Sequence, residues 1–248
     1  MTIIKKQTNI SKLISAMEYY SVRYISKDQL LDIITKLNIK SNPNTLIYKM
    51  ILGKHIVVIK QNTYLYIPIS SIDRIPQITE YELNEAYLGE NEKYYIGLWN
   101  AYNYYGFTTQ VSNKLFVFNK KINLNKKILS KEIKYIKVSN NYMFGITKDK
   151  YPLSDKEKTI IDILNYFKDI GNLKDIILEI KKHSFDVNKL ITYGKETKSI
   201  KMLKLIGIIT DNLDLYNYLK SKNKLSYYTY IRGSTKKEIY PKWKLKLI

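Results

Sequence analysis

Cysteine is absent from the 248 residues, proline occurs five times, glycine nine times and histidine twice. Without cysteine there are no disulfides and no thiolate metal sites, and His55 and His183 alone cannot furnish a histidine-rich metal centre. A phosphate-cradling glycine loop is also missing, so no cofactor is expected. No apolar run reaches transmembrane length and residues 1–6 lack the apolar core of a signal peptide, which points to a soluble, cytoplasmic protein without a membrane partner. Carboxylates are few, 22 Asp and Glu against 42 Lys and Arg, for a net charge of +20 and a pI near 9.6. A field of that sign attracts polyanions, and nucleic acid is the leading partner class. Abundant Lys, Ile and Tyr fit an AT-rich genome or a hot habitat, with an archaeal thermophile as one such source, although Glu does not rise with Lys as it does in hyperthermophiles.

What is present is organised around residues 42–68. Asn42 is placed to cap a helix whose first position is Pro43, where a missing N–H costs nothing. Leu46, Ile47, Met50 and Ile51 share one face, and Gly53 stands where a left-handed cap would end the helix. The other face carries Asn44, Thr45, Tyr48 and Lys49, groups that reach base edges and phosphates. Two β-rich runs, 56–60 and 63–67, flank Gln61 and Asn62, and Asn tolerates the positive φ of a tight hairpin. Upstream, Ile10, Leu13, Ile14 and Met17 lie at helical spacing, and Ser26 with Gln29 makes a capping box for a helix bearing Leu30, Ile33, Ile34 and Leu37. Three helices and a hairpin in this order predict a winged helix-turn-helix whose third helix is free to enter a major groove. The expected DNA contacts are Asn42, Asn44, Thr45, Tyr48 and Lys49 on that helix, Lys27, Lys54 and Lys60 on phosphates, and Gln61 and Asn62 at the wing turn. The bland alternative is a core helix followed by any hairpin. Scattered lysines are usually a solvated surface, so their placement around one element carries the argument.

Residues 69–79 are aperiodic and hold a proline, which suggests a linker over 71–79 between a first domain at 1–70 and a second at 80–248. The predicted class is α+β, with the second domain a larger mixed α/β unit rich in short helices. Residues 80–92 carry Glu80, Glu82, Glu85, Glu90 and Glu92, read as the solvated face of a helix rather than a metal site. Residues 94–110 recur at helical spacing up to a Gly106 cap, with tyrosine standing in for Leu and Phe in a core. Strands are expected over 115–118, 132–138 and 142–146, with Lys120, Lys121, Lys126, Lys127 and Lys131 between the first two as a second phosphate surface. Ser154 to Glu157 reads as a capping box for a helix that runs toward Gly171. Read as acid–base carboxylates, Asp155, Glu157 and Asp162 lack support, because capping accounts for two of them and no nucleophile or histidine is near in sequence. The chain is therefore expected not to be an enzyme. Helices near 173–182, 187–193, 199–206 (capped by Gly207) and 213–219 follow, and strand-like runs at 225–231 and 243–247 close the chain.

Four blocks in register, 94–118, 153–164, 205–210 with its Leu-Ile-Gly-Ile-Ile-Thr, and 241–247 with its Pro-Lys-Trp-Lys-Leu-Lys-Leu, resemble the AbiEi antitoxin family. That resemblance implies a type IV toxin–antitoxin system. Such an antitoxin pairs an N-terminal winged helix that represses its own operon with a C-terminal domain that counters a nucleotidyltransferase-like toxin. On this reading Gly106, Gln110, Asp155, Glu157, Lys158, Thr159 and Asp162 match family motifs and act as fold determinants. The implied partners are double-stranded DNA of its own promoter, with inverted repeats, and a cognate toxin. The turn around Gly106 departs from the family pattern, and Leu205-Ile206-Gly207 stands where many relatives have Arg-Leu-Gly. Alternatives are an antitoxin acting by direct contact with its toxin, or a stand-alone regulator from an archaeon or a plasmid. No heptad seam announces a dimer, so monomer and homodimer both stay open.

Overall fold

The computed structural model describes residues 8–71, 78–89, 92–147, 150–233 and 237–248. The chain divides into two compact units, 1–92 and 93–248, each with its own apolar core. Both mix helices with small sheets, an α+β architecture. Among the described residues no helix is long and apolar enough to cross a membrane.

The first unit runs α1 (Asn9–Tyr19), β1 (Tyr24–Ser26), α2 (Lys27–Lys36), α3 (Pro43–Leu52), β2 (Ile56–Lys60), β3 (Thr63–Tyr66) and α4 (Glu80–Leu88). Its start signals act as read: the Ser26 hydroxyl and the Gln29 side chain cap one another's backbone, and Asn42 Oδ1 accepts from the amides of Asn44 and Thr45. Leu13, Ile14 and Met17 of α1, Leu30 and Ile34 of α2, and Leu46, Ile47 and Met50 of α3 bury one another, so each helix has one apolar stripe and a wet back. Ile25, just before the Ser26 cap, is buried in the same core. It sits in β1, which pairs antiparallel with β3 and makes the hairpin a three-stranded sheet in the order β1-β3-β2. Asn62 adopts φ 59° in the hairpin turn. The expected left-handed cap at Gly53 is corrected: Gly53 has φ −75° and Lys54 takes the positive φ, 56°. Glycine is needed at 53 for space, because a Cβ there would lie 2.8 Å from the His55 ring.

Helix α4 falls in the first unit, whereas the sequence placed residues 80–92 in the second domain. Arg23 pairs with Glu82 at 3.0 Å, and Lys60 donates to the Tyr87 carbonyl. Glu90 and residues 72–77 of the expected linker lie outside the described residues.

The second unit opens with a four-stranded sheet in the order β4-β5-β7-β6, formed by β4 (Tyr94–Ile96), β5 (Lys114–Asn119), β6 (Leu124–Ile128) and β7 (Lys131–Lys137), with β5 and β7 parallel. The helix expected across 94–110 is two elements: Tyr94–Ile96 pair with β5, and only α5 (Leu98–Tyr104) is helical. Gly106 ends it at φ 73° as expected. The lysine-rich stretch before β7 supplies an unanticipated strand, β6, and the strand expected at 142–146 is a 3-10 turn over Asn140–Tyr142 followed by irregular chain with one bridge to Ser154. Five helices follow: α6 (Lys156–Asn165), α7 (Leu173–Ile180), α8 (Val187–Glu196), α9 (Ile200–Thr210) and α10 (Leu213–Ser221). Gly207 is not a cap. It lies inside α9, where a Cβ would come within 2.2 Å of the Trp243 ring, and Asp211 at φ 47° ends the helix. A last sheet, β8-β10-β9, joins β8 (Thr229–Ile231), β9 (Glu238–Tyr240) and β10 (Leu245–Leu247).

Candidate nucleic-acid interface and a buried motif

Packing decides what α3 can offer. With Leu46, Ile47 and Met50 turned to the core, Asn44, Thr45, Tyr48 and Lys49 are exposed, and Tyr48 keeps 61% of its surface open. A large aromatic left that open, on a helix otherwise anchored by three buried residues, is surface not covered by the described residues of the unit. Asn42 is committed through Oδ1 to its cap. Lys54 is exposed at the left-handed position just after α3, and Gln61 and Asn62 are exposed at the hairpin turn. Lys27 is half-buried at the start of α2, where its amide donates to the Asn62 carbonyl at 2.9 Å and ties that helix to the hairpin turn. Lys60 is placed differently from the sequence expectation. Its ammonium is held by the Tyr87 carbonyl and lies 5.7 Å from the Tyr87 ring, so it is spent on α4 rather than offered to a phosphate.

The residues that carry the AbiEi resemblance lie in the second unit, and their surroundings divide by burial. Asp155, not Ser154, is the N-cap of α6, accepting from the Lys158 amide at 2.8 Å, while the Ser154 hydroxyl meets that of Thr159 at 2.9 Å. The expected capping box is thus shifted by one residue and has no reciprocal partner, because Glu157 turns to α8: it accepts from the Asp186 amide and pairs with Lys189 at 3.0 Å. Asp155 also accepts from the Tyr193 hydroxyl at 2.8 Å, and partial burial with that bond pushes the phenol up to about 12. Thr159 bonds back to the Asp155 carbonyl at 2.8 Å.

Lys158 and Asp162, one turn apart on α6, are both fully buried and meet at 2.7 Å. Aromatic rings enclose the ammonium, the Tyr142 centroid at 3.3 Å and the Phe144 centroid at 4.5 Å, and the Tyr95 hydroxyl donates to Asp162 Oδ1 at 3.3 Å. Asp162 Oδ2 has no hydrogen-bond partner among the described residues. Gly97 packs against it, since a Cβ there would stand 3.2 Å from Oδ2 and 2.8 Å from the Phe118 ring. Burial pushes the carboxyl above its usual range and the ammonium below, each opposed by the partner's charge, and burial holds the Tyr95 phenol well above 10. At 0% exposure the pair is sealed between α6 and the sheet β4-β5-β7-β6.

The remaining motif positions are on the surface. Gly106 turns the chain after α5, and Asn103 Nδ2 donates to the carbonyls of Thr108 and Gln110 at 3.0 and 3.2 Å, which stiffens the turn. Gln110 is exposed, as are Tyr104 (67%) and Val111 (80%) on either side. The turn borders a groove of about 430 Å³ lined by Trp99, Thr108, Thr109, Asn172 and Asp175. One feature escaped the sequence. Lys204 is buried in α9, where its ammonium donates to the carbonyls of Tyr227 and Lys244 and to the Thr229 hydroxyl, and the C-terminal sheet depends on an internal cation that no motif announces. Among the described residues no group of three His, Asp or Glu is arranged to hold a metal ion.

No protein-family model matches the chain, and no curated protein matches it in sequence. Its fold is similar to the crystal structure of the RV2827C protein from Mycobacterium tuberculosis, with a TM-score of 0.68 over 98% of this chain and 92% of that one, at 12% identity. At that identity the likeness is one of fold alone.

Proposed function

We propose that the first unit is a winged helix that reads duplex DNA through α3, and that the chain is an autoregulating repressor and antitoxin of a type IV system resembling AbiEi. The observation that carries the DNA reading is the outer face of α3: Asn44, Thr45, Tyr48 and Lys49 stand exposed on a helix anchored by Leu46, Ile47 and Met50. The order α1-β1-α2-α3-β2-β3 with a three-stranded wing supports it. Amide and hydroxyl side chains at Asn44 and Thr45 pair with base edges, while Lys49 and Lys54 neutralise phosphates on either side of the groove. The test is a titration against the DNA immediately upstream of the gene beside scrambled DNA, at two salt concentrations. Tight binding to the upstream DNA alone supports the reading; equal, weak and salt-labile binding to both refutes it.

A second reading, direct contact with a toxin, is favoured by the turn at 104–111. Tyr104 and Val111 leave apolar surface open beside a groove, on a turn that internal hydrogen bonds hold in one shape. Tyr104→Ser with Val111→Ser would then abolish co-purification of the toxin while leaving DNA binding intact. Retained co-purification would exclude this surface.

A further inference from the structure

The net charge of the chain is not shared evenly. Residues 1–92 hold 11 Lys and Arg against 9 Asp and Glu, and residues 93–248 hold 31 against 13. From Lys220 onward there are nine cationic residues and a single carboxylate, Glu238, which is paired with Lys174. The excess thus culminates in the segment that builds the sheet β8-β10-β9.

One face of that sheet is closed and the other is open. Ile231, Leu245 and Leu247 point into the core. The alternate positions point outward: Tyr230 is 56% exposed, Ile239 is 55% exposed, and Lys246 stands between them in register with both. Tyr228 and Lys244 lie just outside the strands, each immediately before β8 or β10. The lysines are laid along the rings, Lys246 at 4.6 Å from the Tyr228 centroid and 5.6 Å from that of Tyr230, and Lys244 at 4.9 Å from Tyr228. Such contacts hold the cations beside the rings on the sheet instead of letting them range through solvent. No carboxylate interrupts this outward row, because Glu238 sits at the register position of Leu247, on the opposite face.

We infer that this sheet face is a binding platform for single-stranded nucleic acid. Tyr228, next to the first residue of β8, and Tyr230 within it both lie against the Lys246 ammonium, and positions two apart in extended chain are about 6.7 Å from each other. That is twice the 3.4 Å rise per base of a stacked strand, so successive unstacked bases each meet a ring. The lysines between the rings meet the phosphates that link those bases. Duplex DNA has its bases stacked inside and offers such a surface only its phosphates. An acidic peptide satisfies the cations and leaves the tyrosines unused. The site is independent of α3 and its duplex-reading role.

The test is fluorescence anisotropy of the full-length protein with labelled 12-nucleotide single-stranded RNA and DNA, with a blunt duplex and with polyglutamate of equal charge. Binding to a single strand, of either sugar, in preference to duplex and polyglutamate is the expected result. Tyr228→Leu with Tyr230→Leu lowers single-strand affinity at least tenfold, since each stacked base is worth about 1–3 kcal/mol. Tyr230→Phe, which keeps the ring, binds as wild type. Because Tyr228 is half-buried, Tyr230→Ala alone provides a variant that leaves the core untouched, and crosslinking of a 5-iodouridine oligonucleotide to the unmodified protein maps the site without any substitution. Equal affinity for single strand and polyglutamate, an unchanged Tyr230→Ala variant, or crosslinks confined to other segments would each overturn the inference.

Discussion

Replacing Asp162 by Leu removes the carboxylate paired with a fully buried ammonium. Breaking a buried pair from one side costs about 3–5 kcal/mol, because the remaining charge is stranded. In a unit of this size each kcal/mol moves the Tm by about 2–4 °C, so a fall of about 6–20 °C is expected. Replacing both residues, Lys158→Met with Asp162→Leu, is different. It removes two desolvated charges and a carboxylate oxygen without a partner, a relief of about 1–4 kcal/mol. It also forfeits the ammonium held 3.3 Å from the Tyr142 ring, worth about 2 kcal/mol when desolvated. These nearly cancel, so the double variant should lie within about 2 kcal/mol of wild type, and the coupling should be at or above the ~3 kcal/mol upper end seen for neighbouring residues. Denaturant titration of all four proteins measures the cycle. A pH series adds a sign: in Asp162→Leu the folded pKa of Lys158, already lowered by burial, loses its raising partner. The folded state then binds fewer protons than the unfolded chain below 10.5, and stability of that variant rises with pH through this window. Singles that cost under about 1 kcal/mol, or a double variant costing the sum of the singles, would refute the reasoning.

Gly207→Ala should lower the Tm of the second unit, by the 1–3 kcal/mol typical of overpacking, because the new methyl collides with the buried Trp243 ring; an unchanged melting curve would contradict this packing. Burial lowers the pKa of Lys204, so the folded state binds fewer protons between that lowered value and 10.5, and wild type should gain stability with rising pH relative to Lys204→Met. Parallel pH–stability curves for the two proteins would count against it. In DNA titrations Lys54→Ala should weaken all sequences alike and reduce the salt slope by about 1, whereas Asn44→Ala should relax preference at one or two base pairs by roughly 1–3 kcal/mol. Lys60→Ala should leave the salt slope unchanged and instead loosen α4, to be seen as faster amide exchange over Glu80–Leu88.

Signals confined to a few neighbouring residues were readable in advance. Asn42 with Pro43, Ser26 with Gln29 and Gly106 each act through groups within four residues, and the three apolar stripes of the first unit needed only a count of spacing. Misreadings arose where a distant partner decided. Tyr94–Ile96 fit helical spacing with the residues after them, yet pairing with Val117, Phe118 and Asn119 holds them extended. Gly207 looks like a cap until Trp243, far along the chain, is packed on it. β6 was hidden because its lysines are outward-facing strand residues that composition reads as a charged loop. Lys60 lost its expected freedom to a carbonyl on α4, an element assigned to the other domain. Of the motif in α6, a helix start near Ser154 could be read, but its cap is Asp155, one residue on, and the sealing of Lys158 and Asp162 required Tyr95 and Tyr142 from two other elements.

Most of the positive charge that first pointed to nucleic acid belongs to the unit that does not carry the helix proposed to read it. Within the first unit, residues 1–71 carry ten cationic residues and three carboxylates, and residues 72–92 bring one and six, so α4 and its flanks nearly neutralise the unit they belong to. A nearly neutral unit has little long-range attraction for random duplex, and discrimination then rests on what α3 and the wing touch at close range. The second unit, with its large cationic excess, has the opposite character: strong attraction for polyanions and, on its C-terminal sheet, rings that discriminate by base exposure instead of base identity. Specificity for a duplex site and general affinity for nucleic acid would thus sit on separate units of one chain. Salt would weaken the two differently, steeply for the second unit and in proportion to the few phosphate contacts of α3 and the wing for the first.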